Sequence, residues 1–243
     1  MKSIRKILIK LLGFKGYLKL VSIVYLGLVK KGFLKDKYPE LFHLRQVIQP
    51  GFHCMDIGAN LGYYSFFMSK YAGDTGRLYA IEPVPLYAEI WKTNMKNAPV
   101  NHELYNIALG EKEETTTMGI PVIDGVIRHG LSQVASGKID YALEFKTTMK
   151  HGDRLFETIQ QLDFIKCDVE GYEQFVFQSL KETIKKHKPL IQTELTGKEN
   201  RQNVIQLLCG LGYKTKKLTD NKLAPLLEEE WGNYESDFYF VWE

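Results

Sequence analysis

From Gly51 onward, short apolar runs alternate with stretches of helical periodicity, and no other feature of the chain restricts its fold as much. Such alternation specifies parallel strands joined by crossover helices. The strand segments are "HCMDIG", "RLYAIE", "HELYNIAL", "LDFIKCDV", "PLIQTEL", "YKTKKL" and "DFYFVW". Helices fall at about 62–71, 85–97, 172–186 and 198–211, the last stopped by Gly210 or Gly212. Between Gly110 and Lys150 the helical pattern fails, and "ETTTMGI" and "EFKTTMK" read as two extra strands. That insertion flanks the strand ends where open α/β sheets bind ligands. The final two strands are separated by a short acidic loop and read as a hairpin. The expected fold class is therefore α/β, a Rossmann-like, seven-stranded, mostly parallel sheet closed by an antiparallel hairpin.

At 243 residues the chain suits one large domain with an appendage. We divide it into a basic helical N-terminal extension, 1–45, and a sheet domain, 46–243, that carries the insertion at about 110–150. The net charge of +3 conceals an asymmetry: residues 1–37 hold ten Lys or Arg against one Asp. The remainder is mildly acidic, so a nucleic-acid partner is not expected. Cys54, Cys167 and Cys209 lie far apart with no CxxC pair, which indicates neither a disulfide framework nor a zinc site and fits a cytoplasmic setting.

In "SIRKILIKLL", Ile4, Ile7, Leu8, Leu11 and Leu12 follow helical spacing while Lys2, Lys6 and Lys10 share another stripe. Gly13 and Gly16 interrupt it. The next apolar run, "LVSIVYLGLV", is too short to span a bilayer, and no small-residue cleavage site follows it. Two readings stand side by side. One is a helix pair packed over the core or against a dimer partner; the other is peripheral contact of residues 1–35 with an anionic membrane, at its inner face.

Within "MDIGANLGYYS", Gly58 and Gly62 bracket a turn between a strand and an apolar helix. Glycines let the backbone approach a ligand, and the helix N-terminus offers unpaired N–H donors. The spacing is GxxxG, neither the GxGxxG of dinucleotide binders nor a P-loop. Asp56, at the end of the first strand, would meet a pyrophosphate as a like charge in a partly dry cleft. A phosphate-free, cationic adenosine ligand is favoured instead, and S-adenosylmethionine is one. Glu82, closing the second strand in "YAIEP" before Pro83, either accepts both ribose hydroxyls or caps the next helix. Asn106, Ile107 and Ala108, ending the third strand, would lie on the adenine-facing edge.

The fourth strand, "DFIKCDVEGYE", places Lys166, Asp168 and Glu170 at a C-terminal strand end, with Gly171 allowing a sharp exit. Helix capping accounts for one of these two carboxylates, not for both together with Lys166.

These segments, with "NIALG" and "PLIQTEL", occur in the order and spacing of the FkbM-like S-adenosylmethionine-dependent methyltransferases, which the chain resembles over about Gly51 to Leu195. The resemblance implies the class I methyltransferase fold and methyl transfer, commonly to hydroxyls of sugars, polyketides or other natural products. By position it implies Asp56, Gly58, Asn60, Glu82 and Asp168 as cofactor-side residues, and we extend that set to Ala59, Gly62, Pro83, Asn106 and Ala108. Methyl transfer needs alignment and exclusion of water, and a base helps a hydroxyl acceptor. Glu170 is the first choice for that base, with Asp168, Lys166 and His129 as further catalytic candidates and His151 behind them. No spacing demands a metal, although Asp168, Glu170 and Glu194 have the right chemistry for a divalent ion. The insertion segment "PVIDGVIRHGLSQVASGKIDYALEF" matches no substrate class, so the acceptor stays open. Two rival readings exist. A nicotinamide-dependent oxidoreductase or sugar-nucleotide enzyme would need the missing third glycine and a Tyr-x-x-x-Lys pair, and Tyr87 and Lys92 are five apart. A non-catalytic membrane-associated adaptor would use the basic N-terminal helix and keep the sheet as a scaffold.

Overall fold

A computed structural model describes residues 2–137 and 139–243; Met1 and Lys138, and the side chains of Lys2 and Ser3, lie outside the described residues. In chain order come helices α1 (Lys2–Lys30) and α2 (Pro39–Val47), then β1 (His53–Ile57), α3 (Tyr63–Ala72), β2 (Arg77–Ile81), α4 (Pro85–Met95) and β3 (Asn101–Tyr105). The insertion follows as β4 (Ala108–Leu109), β5 (Glu114–Ile123), β6 (Val126–Ile127), β7 (Gln133–Val134) and β8 (Tyr141–Lys150). The chain then returns through α5 (Gly152–Leu155), β9 (Phe164–Cys167), α6 (Glu173–Ser179), α7 (Lys181–His187), β10 (Leu190–Thr193), α8 (Lys198–Gly210), β11 (Tyr213–Thr219), β12 (Lys222–Pro225) and β13 (Phe238–Trp242).

The main sheet has the order β12-β11-β13-β10-β9-β1-β2-β3. Strands β3, β2, β1, β9 and β10 run parallel, and β13 slots antiparallel between β10 and β11. The expected pairing of the last two long strands is present, with one correction to the count. The acidic loop between them contains a further edge strand, β12, which makes eight strands.

Two other boundaries also differ from expectation. "HELYNIAL" is not one strand: β3 stops at Tyr105, and Ala108–Leu109 leaves the main sheet to pair with β8. The helix expected over 172–186 is broken at Leu180 into α6 and α7. The insertion is a second sheet built on the long antiparallel β5–β8 pair.

Side chains along the strands divide by the two-residue period between the sheet's faces. Met55, Ile57, Ile165 and Ile191 pack with α6, α7 and α8 on one face; Cys54, Leu78, Ala80 and Phe164 pack on the other with Phe67, Met68 and Trp91. The N-terminal helices join that second face. Val29, Leu41, Leu44 and Ile48 belong to its core, while Tyr17 and Leu18 pack with Leu61, Tyr87, Ile90 and Met118. Each such Leu contributes about 1.5–3 kcal/mol by leaving water, so the extension is fastened to the sheet. At Gly13, α1 changes direction through a left-handed residue, φ 67° and ψ 169°. Among the described residues no helix is long and apolar enough to cross a membrane.

Candidate active site

The C-terminal ends of β1, β2 and β9 open into a cleft of about 540 Å³. Asp56 lies on its floor, 2% exposed. The Ser65 hydroxyl donates to its Oδ2 at 2.5 Å, and Trp91 Nε1 donates to the same Ser65 oxygen at 2.7 Å. Burial pushes the Asp56 carboxyl up to about 6, with the Ser65 bond and Lys166 pulling the other way. At neutral pH it remains mostly anionic, a buried charge best matched by a cation.

The turn after β1 is held by its neighbours. The N–H groups of Gly58 and Ala59 both donate to the Ile81 carbonyl at 3.0 Å. Gly58 has φ +79°, and a Cβ there would come within 1.9 Å of the Asp168 carbonyl oxygen, so no side chain fits. Gly62, the αL residue before α3, packs against the Trp91 ring and does not line the cleft. Asn60 Oδ1 and the Tyr63 hydroxyl are buried on cleft residues with no hydrogen-bond partner among the described residues. Such orphaned groups need a ligand or water.

Glu82 is buried at the end of β2, and burial raises its carboxyl to about 8. Its oxygens accept the backbone N–H groups of Asn60 at 2.8 Å and Val84 at 2.7 Å. Of the two roles read from sequence, the capping one is present: Glu82 ties down the turn and the start of α4 while lining the cleft. Asn106 donates from Nδ2 to the Glu82 carbonyl at 2.6 Å and braces the end of β2 instead of lining the cleft. Ala108 lines a small apolar recess that shares Gly58, Pro83, Met118 and Val169 with the main cleft.

Lys166 stands in register with Asp56 on β1 and Gln192 on β10, so the three share one face of the sheet. It is fully buried, with Nζ 3.4 Å from Asp237 and 3.7 Å from Asp168 and set 5.1 Å over the Tyr64 ring. Burial opposes its charge, but Asp237 and Asp168 outweigh burial and hold the ammonium above its usual range. Gln192 Nε2 donates to Asp237 at 2.6 Å and fixes that partner.

Glu170 lines the cleft in a left-handed conformation, φ 54°. Burial, then Asp168 and Glu194, raise its carboxyl to about 8. The neighbouring loop N–H groups, Val169 and Gly171, donate to Glu173, whose other oxygen accepts from Asn200 at 2.6 Å. Glu173 thus performs the local capping, which leaves Asp168 and Glu170 turned to the cleft.

His129 also lines the cleft, but its geometry is that of a donor. Arg5 Nη2 lies 2.9 Å from His129 Nδ1, and a guanidinium only donates, so Nδ1 accepts. Burial, then Arg5, push the imidazole down to about 4. The neutral ring then carries its proton on Nε2, an arrangement that favours Glu170 over His129 among the candidate bases. His151 stands at the start of α5, away from the cleft lining.

The remaining wall comes from segments that the motifs do not mark. Val21 and Tyr25 of α1, with Tyr38 just before α2 and Glu40 in its first turn, close one side; Tyr64, Glu194 and Asp237 continue it. Tyr25 meets Tyr38 edge-on at 5.3 Å and Tyr63 at 4.3 Å between ring centroids. The Glu40 carboxyl is raised by burial and by Asp237, and that of Glu194 by burial and by Asp168. Two of these were legible. The pair Tyr63-Tyr64 directly follows the glycine turn, and an antiparallel β13 must begin where the parallel strands end, which brings Asp237 to the cleft edge. Nothing in the sequence marks Tyr25 or Glu40.

A sequence model of the methyltransferase FkbM domain matches residues 56–215, two-thirds of the chain. The chain belongs to the FkbM methyltransferase family. Its cofactor is S-adenosylmethionine, and the nicotinamide reading is set aside. No curated protein matches by sequence.

Solved structures share the fold at low identity. A methyltransferase FkbM from Methylobacillus flagellatus KT superposes with a TM-score of 0.50 at 13% identity, over 81% of this chain and 49% of that one. An S-adenosylmethionine-dependent O-methyltransferase from Thermotoga maritima gives 0.47 at 12%, over 86% and 65%. Aeropyrum pernix fibrillarin with bound S-adenosylmethionine gives 0.46 at 11%, over 80% and 68%. The chain thus spans about half the length of its FkbM neighbour.

The residues present fit this family's cofactor. Asp56 supplies a buried anion, Asn60 Oδ1 an unsatisfied acceptor and Gly58 a backbone that a ligand can approach.

Proposed function

We propose that this methyltransferase transfers the methyl group to a hydroxyl oxygen of a sugar or similarly polyhydroxylated acceptor. The observation that carries the reading is the wall facing the cofactor turn, in which carboxylates of Glu40, Asp168, Glu170, Glu194 and Asp237 are interleaved with tyrosine rings. Carboxylates accept hydrogen bonds from hydroxyls, and tyrosine faces pack against the apolar C–H surfaces of a sugar ring.

Asp56, Asn60 and Glu82 would hold the cofactor in the main cleft. The bound cofactor supplies a methyl group on a sulfonium, the electrophile of the reaction. Glu170 takes the proton from the acceptor hydroxyl. Its elevated pKa, about 8, makes it a stronger base than an ordinary carboxylate once ionised. Lys166 fixes Asp168 and Asp237, which orient the acceptor, and Tyr25 with Tyr38 excludes water.

The test is transfer of labelled methyl from S-adenosylmethionine to a panel of sugars, glycosides and glycolipids, with mass analysis of the product. A methyl ether on a sugar hydroxyl is expected. A label confined to nitrogen or carbon would reject the reading.

A further inference from the structure

Helix α1 is apolar on two opposite faces. Tyr17, Leu18, Leu26 and Val29 are buried against the body, whereas Leu20, Ile23, Val24 and Leu28 point outward, Ile23 being 64% exposed. Before the Gly13 kink, Ile4, Ile7 and Leu11 form a second outward stripe, Leu11 being 73% exposed, and Phe33 stands out beyond the helix end. A helix that only covers a core turns a polar face to water. Nine of the fourteen exposed large apolar side chains among the described residues fall in residues 4–33, so the patch is local and not a property of the whole surface.

Charge identifies the occupant. Lys6, Lys10, Lys30, Lys31, Lys35 and Lys37 are exposed around these stripes, in a segment that holds ten Lys or Arg and one Asp while the rest of the protein is net acidic. A second copy of the chain would bring like charge against like across a self-complementary interface. An anionic surface meets the same residues favourably, and a bilayer accepts the apolar side chains between them.

We propose that the outer face of residues 4–33 docks on an anionic lipid bilayer as an interfacial element, with Leu11, Ile23 and Val24 inserted at the headgroup boundary and the lysines against lipid phosphates. The opposite side of the same helix presents Val21 and Tyr25 to the cleft. Docking therefore sets the cleft wall about one helix diameter, ~10 Å, from the membrane. A lipid-linked acceptor would then be presented by its headgroup, a consequence that rests on the hydroxyl-acceptor reading, although the docking itself does not.

The experiment is flotation of the full chain with vesicles of phosphatidylcholine alone and of phosphatidylcholine with phosphatidylglycerol. Wild type is expected to float with the anionic vesicles only and to be released by salt. The double variant Ile23→Glu, Val24→Glu should lose about tenfold or more in partitioning, because two apolar anchors become charged. Both positions are exposed, so the variant should keep the wild-type circular dichroism spectrum and its affinity for S-adenosylhomocysteine. Absence of wild-type flotation on anionic vesicles, equal flotation of the double variant, or equal binding to neutral vesicles overturns the proposal. So does a stable wild-type dimer, seen by light scattering, that the double variant dissolves. Failure of S-adenosylhomocysteine to bind wild type would instead strike the cofactor assignment and leave the docking result standing.

Discussion

One side of the cleft comes from a single short run of chain, Asp56 to Glu82, while the facing side gathers Tyr25 and Glu40 from the N-terminal helices and Glu194 and Asp237 from the C-terminal strands. On the first side the backbone does the shaping. The turn is tied to β2 through Ile81 and Glu82, and glycine is compulsory at residue 58. On the second side, side chains from distant segments meet around one buried ammonium, Lys166. On the proposed function, the first side would hold the cofactor and the second the acceptor.

The largest expected effect belongs to Gly58→Ala. A methyl group 1.9 Å from the Asp168 carbonyl oxygen cannot be accommodated without moving β9 away from the turn. S-adenosylhomocysteine binding is expected to disappear from calorimetric titration, with circular dichroism reporting whether the sheet survives. Retained binding would show the turn to be less constrained than its geometry states.

Next comes Glu170→Gln, expected to lower kcat by about 10²-fold or more with little change in cofactor affinity. Because Glu170 holds its proton up to about pH 8, wild-type activity should climb as pH rises through 8, since only the ionised form accepts a proton. The variant should lack that limb. An unchanged pH profile would remove Glu170 from the role of base.

A smaller effect is expected from Glu40→Gln and Tyr25→Ala. Each should raise the acceptor KM by roughly 3–30-fold, the loss of about one buried contact or hydrogen bond, and leave S-adenosylhomocysteine affinity within experimental error. A matching loss of cofactor affinity would erase the division between the two sides.

The smallest effect concerns stability. Glu82 and Glu170 have folded-state carboxyls raised to about 8 from an ordinary 4.5, so the folded state binds their protons more tightly than the unfolded chain. Their contribution is complete below about pH 4.5 and is lost as pH rises through 8. Between pH 6.5 and 8.5, Tm of the cofactor-free protein should fall by several degrees, at about 2–4 °C per kcal/mol for a domain of this size. A flat or rising Tm across that window would mean the two carboxyls are not raised.

The same division explains what the sequence made legible. The strand and helix pattern from Gly51 was readable because it is local: two-residue alternation in β1 and β2 and the glycine turn need no distant partner. So were Asp56, Glu82, Lys166, Asp168 and Glu170, each at the end of an identifiable strand. The break at Leu180, the edge strand β12 and the departure of Ala108–Leu109 depend on tertiary pairing and left no periodic trace. How the candidate His129 is held was not readable, because the Arg5 that occupies its Nδ1 lies 124 residues away. Tyr25 and Glu40 were hidden for a related reason: a helix that covers a core and a helix that walls a cleft show the same spacing.

Asp56 is a buried anion on the cleft floor, and calorimetric titration of S-adenosylmethionine into wild type and Asp56→Ala tests most directly whether it selects the cationic cofactor. Saturable binding by wild type is predicted, weakened by about 10-fold or more in the variant as the charge partner is lost, with NADH failing to bind either protein. Wild type that binds no S-adenosylmethionine, or an Asp56→Ala variant that binds it unchanged, would contradict the account.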